Sequence, residues 1–315
     1  MSKRVSTIGE FALIELITAR LPAQDDVLVG PGDDAAVVAA PDGRFVVTTD
    51  LLVERRHFRR DWSSAYDIGQ KAAAQNLSDV AAMGARPTTL LLGLALPPET
   101  AVDWVLELVD GLRDECDRAK ASIVGGDISR ADAVVLAITA HGSLDGRPPV
   151  LRRGARPGDV VVLGGRVGWA AAGLALLTGD RREPAELVTA HRRPRPPYPL
   201  GAELAAAGAT AMCDVSDGLL QDLGHIADAS RVGIELDSTA FEVPGIMRQA
   251  ADLLGVDPLG WMLTGGDDNA LVACLPAPAA VPAGCVVIGT VVREPGVRVD
   301  GAVWSGPGGH DHFRR

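Results

Sequence analysis

A chain of 315 residues, 47% of them hydrophobic, is long enough for two domains of roughly 150 residues, each with its own core. Its net charge of −11 argues against general binding to nucleic acid or to an anionic membrane surface, either of which calls for a basic face. No apolar run approaches the roughly 18 residues of a membrane span, and the four cysteines (Cys116, Cys213, Cys274, Cys285) form no CxxC pair, so neither a zinc site nor a disulfide framework is expected and a reduced cytoplasm is the natural compartment.

The first element in chain order is an amphipathic helix over 8–20, with Thr7 and Glu10 as a capping box and no cleavage site of a signal peptide. GPGDDAAVV (30–38) follows, with the adjacent carboxylates of Asp33 and Asp34 in a Gly-Pro turn ahead of an apolar run. Turn chemistry explains Asp and Gly in one such place. The same juxtaposition recurs, however, in VVTTDLLV (46–53), NLSDVAAMGARP (76–87), IVGGDISR (123–130), CDVSDGLL (213–220) and LTGGDDNAL (263–271).

Strand-like runs at 45–49, 89–95, 133–140, 160–163, 234–236, 271–275 and 285–292 alternate with helical patterns at 8–20, 65–83, 99–118, 168–177, 199–207, 217–230 and 245–254. That alternation predicts an α/β or α+β fold. The helix over 65–83 ends where Gly84 can take a left-handed cap and Pro87 blocks continuation. Along it Lys71, Gln75 and Asp79 share one face, which, taken alone, a solvated surface explains more readily than a site does. The Gly-, Pro- and Arg-rich segment SLDGRPPVLRRGARPGD (143–159) marks a boundary between domains 1–150 and 151–315. In the second domain Asp214 and Ser216 are placed to cap the helix carrying Leu219, Leu220, Leu223 and Ile226, and the same helix start offers N–H groups to an anion.

Asp33, Asp34, Asp50, Asp79, Asp127, Asp214, Asp217, Asp267 and Asp268 are expected on loops or element ends. Two unit charges about 5 Å apart repel by roughly 3 kcal/mol at an effective dielectric near 20, so carboxylates that converge need a cation. Oxygen donors without a His/Cys cluster favour Mg²⁺ over zinc, and Mg²⁺ held by a few carboxylates usually shares its shell with substrate phosphates. No P-loop is present. GPGDDA matches G-x-G-x-x-A in letters, but a strand-like run follows it in place of a helix, and two Asp would face the pyrophosphate. Glycine turns, carboxylates and local arginines in RRHFRR (55–60), LRRGAR (151–156) and HRRPR (191–195) point to a phosphoryl-transfer site of another architecture.

GEFALI (9–14), GPGDDAAVV, TTDLLVERRHF (48–58), NLSDVAAMGARP, GGDISR (125–130), RRGARPGD (152–159), DVSDGLLQDLGHIADAS (214–230), TGGDDNAL (264–271) and GHDHF (309–313) together resemble the bacterial thiamine-monophosphate kinases, in order and over nearly the whole chain. That family shares one ATP-using fold with aminoimidazole ribonucleotide synthetase, selenophosphate synthetase and a hydrogenase-maturation protein. The resemblance implies two α/β domains, an N-terminal mixed sheet that pairs into a barrel across a homodimer and a C-terminal α/β sandwich. It implies transfer of the ATP γ-phosphoryl to thiamine monophosphate, several Mg²⁺ ions, and no nucleic-acid or membrane partner.

Carried over residue by residue, the resemblance places Asp34, Thr48, Thr49, Asp50, Asp79, Asp127, Asp214 and Asp217 around Mg²⁺. It places Gly126, Asp127, Arg152 and Ser216 at ATP, and His57, Asp267 and His310 at the thiamine phosphate. No general base is implied, because the accepting phosphate is already ionised; positioning and charge neutralisation carry the reaction. The chain departs from the family where GGEDYEL is usual and GGDDNAL stands here, and where an aromatic often precedes DHF and His310 stands here. Both departures fall on the thiamine side. Selenophosphate synthetase is disfavoured, since no Cys lies in the first 115 residues. Aminoimidazole ribonucleotide synthetase remains an alternative on fold grounds, and a non-catalytic Mg²⁺- or nucleotide-binding protein is the alternative of a different class.

Overall fold

The structure, a computed structural model, describes residues 4–8, 10–22, 25–29, 37–277, 279–304 and 308–310. Asp33 and Asp34 lie outside the described residues, as do the Glu10 side chain of the expected capping box and 311–315 of the GHDHF motif. The chain divides into two compact units, Met1–Val80 with Arg86–Arg147, and Ala81–Ala85 with Pro148–Arg315.

The first unit opens with helices α1 (Val5–Ile8) and α2 (Glu10–Thr18) and a ribbon of β1 (Val27–Val29) and β2 (Val37–Val38). Its main elements are β3 (Val46–Val53), α3 (Ala65–Ala82), β4 (Arg86–Leu96), α4 (Val102–Ala119), β5 (Ser122–Arg130) and β6 (Val135–Ser143). The four strands form an open sheet of order β3-β6-β4-β5. β4 and β5, joined by α4, run parallel, and the other pairs are antiparallel. Alternation along β3 and β6 puts Leu52, Leu136, Ile138 and Ala140 in the core on one face. On the other face Val47 and Leu51 stay 56% exposed and Leu91 36%. The helices α3 and α4 meet backbone to backbone, because a Cβ at Gly69 would collide with the Leu108 carbonyl and one at Gly111 with the Tyr66 carbonyl. As the sequence predicts, α3 stops at Gly84, which has φ 74° and donates to the Ala81 carbonyl at 2.9 Å.

The second unit contains β7 (Val160–Gly164), α5 (Trp169–Thr178), α6 (Ala185–Arg192), α7 (Tyr198–Ala206), β8 (Ala211–Val215), α8 (Leu219–Ser230), β9 (Gly233–Leu236), α9 (Gly245–Leu254), α10 (Pro258–Thr264), β10 (Ala270–Leu275), β11 (Cys285–Val292), β12 (Gly296–Val299) and β13 (Ala302–Val303). Its strands make one seven-stranded mixed sheet of order β13-β12-β9-β11-β7-β10-β8. β8 and β10 are buried along their whole length, so this end of the sheet is covered on both faces. All four cysteines are free thiols. Among the described residues no helix is long and apolar enough to cross a membrane.

The strands β5 and β8 carry no strand signal in the sequence. In β5 the Gly125-Gly126-Asp127 run has the composition of a turn, yet at a sheet edge glycine is tolerated, and a Cβ at Gly126 would strike the Leu92 carbonyl. Here the lack of a side chain lets β5 lie against β4. In β8 the five apolar-rich residues show no alternation because both of its faces are buried.

Candidate functional site

Several of the carboxylates expected on loops or element ends lie within regular elements. Asp50 lies within β3, Asp79 within α3, Asp127 within β5 and Asp214 within β8, while Asp217, Asp267 and Asp268 lie in turns. Strand pairing explains the difference for Asp50: β3 and β6 stay in register from Val46–Gly142 to Val53–Val135, and the Thr-Thr-Asp run is β-branched enough to continue the strand.

In the first unit β3 and α3 are tied together by polar groups. Thr48 Oγ1 donates to Asp79 Oδ2 at 2.9 Å, Asp50 N donates to Asn76 Oδ1 at 3.0 Å, and Gln75 Nε2 donates to Asp50 Oδ2 at 3.3 Å. Lys71 is only 4% exposed, so the face of Lys71, Gln75 and Asp79 is not a solvated surface. Thr48, Asp50 and Asp79 thus come together. Thr49 points the other way, as alternation requires, with its hydroxyl on the Ile138 carbonyl at 2.8 Å. His57 sits in the turn after β3, where its Nδ1 accepts from Val53 N at 3.0 Å, which leaves the ring proton of the neutral tautomer on Nε2. Of the nearby arginines, Arg59 pairs with Asp61 at 2.6 Å and stacks on Trp62, and Arg60 stacks on Trp104.

Asp127 and Gly126 are exposed on β5, at the sheet edge opposite β3. Gly126 is in register with Leu92, Leu92 with Ile138, and Ile138 with Asp50. Three strand spacings, about 14 Å, therefore separate Gly126 from Asp50. Within one chain the sheet does not bring Asp127 to Asp50.

In the second unit the turn Val215–Gly218 leads from β8 into α8. Neither Asp214 nor Ser216 caps α8 as the sequence suggests; the N-cap is Gly218, which has no side chain to serve. Asp222, one turn inside the helix, reaches back, and its Oδ2 accepts from Asp217 N at 3.2 Å and Gly218 N at 3.1 Å. Asp222 is 1% exposed, and burial together with the Asp214 and Asp217 charges pushes its pKa up to about 7, against the two N–H donors. Sequence reasoning missed Asp222. The available signal was an acid four residues after a glycine at a helix start, the spacing at which a side chain can return to the free N–H groups.

The turn Gly265–Asn269 lies alongside: Asp267 N donates to the Ser216 carbonyl at 2.9 Å and Asn269 N to that of Val215 at 3.1 Å. Asp267 and Asn269 take φ of 67° and 51°, a region that Asp and Asn enter more readily than other side chains. Asp268 turns away from this cluster. Its Oδ1 accepts from Ala170 N at 2.9 Å at the start of α5, while Oδ2 is buried without a hydrogen-bond partner. Burial pushes Asp268 up to about 7, opposed by the Ala170 N–H and by Arg166. His310 joins the cluster through its backbone, donating to the Asp217 carbonyl at 2.9 Å. Arg152 is exposed, and its charge partly offsets the rise that burial imposes on the Cys213 thiol next to Asp214. Among the described residues Asp217, Asp222 and His225 form a group whose ligand atoms all lie within 4.8 Å of one another.

Two α/β units, each with an acid-rich centre, define a class. Residues 32–144 match the family described as AIR synthase related protein, N-terminal domain, and residues 156–301 the corresponding C-terminal domain. The chain is 48% identical to a thiamine-monophosphate kinase of Mycobacterium tuberculosis over 99% of its own length and 94% of that protein. It superposes with a TM-score of 0.80 on the crystal structure of thiamine-monophosphate kinase from Stenotrophomonas maltophilia, at 36% identity, covering 94% of this chain and 98% of the other. With AaThiL complexed with AMPPCP and TMP the TM-score is 0.81 at 32% identity, covering 99% and 100%. The chain belongs to the AIR synthase related family and, within it, to the thiamine-monophosphate kinases.

Proposed function

We propose that this chain transfers the γ-phosphoryl group of ATP to the phosphate of thiamine monophosphate, giving thiamine diphosphate and ADP, in the cytoplasm and with Mg²⁺. The observation that carries the reading is the end-to-end likeness to thiamine-monophosphate kinases, one related structure holding AMPPCP and TMP. The donors fit a hard cation. Thr48, Asp50 and Asp79 offer oxygen alone, and the repulsion from Asp214 and Asp217, which adds to burial in raising Asp222, is what a bound cation would relieve. Mg²⁺, when bound, neutralises phosphate charge and orients the reacting oxygens.

By resemblance, Asp34, Thr48, Thr49, Asp50, Asp79 and Asp127 in the first unit, and Asp214 and Asp217 in the second, would hold Mg²⁺ ions. Gly126, Asp127, Arg152 and Ser216 would meet ATP. His57, Asp267 and His310 would meet the thiamine phosphate, His57 presenting its Nε2–H as donor. The acceptor oxygen arrives ionised, so the protein's task is to align two phosphates and to exclude water, with no side chain removing a proton.

A homodimer completes the reading. The exposed Val47, Leu51 and Leu91 form an apolar sheet face of the kind a second copy covers. If β3 of one protomer lies beside β5 of the other, the two sheet edges that a single chain keeps three strand spacings apart become neighbours.

ADP release measured with Mg·ATP and thiamine monophosphate, free thiamine or formylglycinamidine ribonucleotide tests the reaction. Turnover is expected with thiamine monophosphate, and excess EDTA should stop it reversibly. Comparable kcat/KM for free thiamine, turnover with the ribonucleotide alone, or activity that survives the chelator would overturn the corresponding part.

A further inference from the structure

The first turn of α8 does more than begin a helix. Gln221 donates from Nε2 to the His310 carbonyl at 2.8 Å, and its backbone N–H donates to the Gly308 carbonyl at 3.2 Å. His310 N in turn donates to the carbonyl of Asp217, the residue whose own N–H is held by Asp222. The segment Gly308–His310 is thus bonded at both ends to one helical turn and to one metal-ligand candidate. The fit is close. A Cβ on Gly309 would stand 2.6 Å from the Asp217 carbonyl oxygen and 2.8 Å from Gln221 Cβ, whereas a Cβ on Gly308 would find nothing nearer than 3.8 Å. One glycine of the pair is therefore required by contact and the other is free to vary.

We infer that Gln221 is a positioning residue for the acceptor side of the reaction: with the bare backbone of Gly309 it seats His310 against the Asp217 turn. The inference rests on the function proposed above, in which His310 meets thiamine monophosphate. Gln221 touches neither substrate and acts through the strap it holds. Because the strap ends on the Asp217 carbonyl and not on its carboxylate, loosening it leaves the carboxylate oxygens in place, and the effect falls on one substrate.

The test compares Gln221→Ala, Gly309→Ala and the control Gly308→Ala with wild type in the full-length protein. Two quantities are read, amide hydrogen exchange at His310 and the KM values for thiamine monophosphate and Mg·ATP at saturating partner substrate. Gln221→Ala and Gly309→Ala are expected to speed exchange at His310 and to raise KM for thiamine monophosphate at least about fivefold, equivalent to loss of about 1 kcal/mol of binding. Their KM for Mg·ATP should stay within about twofold and their melting should be unchanged, with Gly308→Ala like wild type throughout. Unaltered exchange in Gln221→Ala, or faster exchange with an unaltered KM, overturns the inference, as does an equal effect in Gly308→Ala. A wild-type protein inactive on thiamine monophosphate overturns the proposed function instead, and the exchange comparison then decides the seating by itself.

Discussion

The acid-rich centres of the two units are built in different ways. In the first, Asp50 and Asp79 project from a strand and a helix, and each has a neutral donor at hand, Gln75 at 3.3 Å and Thr48 at 2.9 Å. Both side chains are half-buried, and the hydrogen bonds keep them oriented whether or not a cation is present. In the second, Asp214, Asp217 and Asp222 belong to the end of β8, the turn that follows it and the helix that turn starts. The group that yields there is Asp222, pushed up to about 7 in its burial beside like charges. Regular structure stabilises the first centre, while the second holds its repulsion in check by leaving one acid close to neutrality. Charge removal should therefore affect activity alike in the two places and stability differently.

The largest expected effect tests that asymmetry directly. Asp50→Asn and Asp214→Asn should each lower kcat/KM by about a hundredfold or more, the scale of losing one preorganised electrostatic contact at a transferring group. Asp50→Asn should melt like wild type, since the amide oxygen can still accept from Gln75. Asp214→Asn should melt higher, by about 2–4 °C, because a charge beside Asp222 is gone. Calorimetry of the two variants decides; low melting in both would mean that these side chains are structural and would remove the contrast.

A second expectation concerns pH. Asp222 and Asp268 both sit near 7 against an ordinary 3.8. With the folded pKa above the unfolded one, the native state keeps protons that the unfolded chain has released, so stability falls as pH rises from about 4 to 7 and the cost is complete above 7. For the fully buried Asp268 that cost is on the order of 4 kcal/mol, at about 1.4 kcal/mol per unit. Asp268→Asn keeps an acceptor for Ala170 N and should flatten much of the slope in urea unfolding between pH 4 and 8. Saturating Mg²⁺ should flatten the remainder, which belongs to Asp222 in the acid-rich turn. A slope indifferent to both changes would contradict the assignment.

The smallest effect is at Thr48. Thr48→Val keeps the β-branched shape of the strand and removes the donor to Asp79, so a loss of about 1 kcal/mol in stability and at most about tenfold in turnover is expected. A loss as large as that of Asp50→Asn would mean that the neutral Thr48 hydroxyl matters as much to holding Mg²⁺ as a carboxylate does.

Local chemistry made much of this legible before any fold was known. The helix ending at Gly84 and the helix over 245–254 follow from periodicity and punctuation, which depend on residues a few positions apart. The acidic motifs marked the stretches from which the two acid-rich clusters are built. Other features needed the tertiary structure. Thr48 and Thr49 read as equals but face opposite sides of β3. The acid that organises the α8 turn is Asp222, not Asp214 or Ser216.

What the sequence determined by itself was the alternation of helix and strand, the positions of its acidic stretches, and, through their joint order, the family. These are carried by spacing and composition along the chain. Only the tertiary structure decided that GGD at 125–127 is an edge strand, that Asp127 and Asp50 lie on opposite edges of one sheet, and that Gly308–His310 returns to the first turn of α8. Strand order and chain return are settled by which faces bury one another across long separations, and the cost of such pairing is met by contacts that no local window contains.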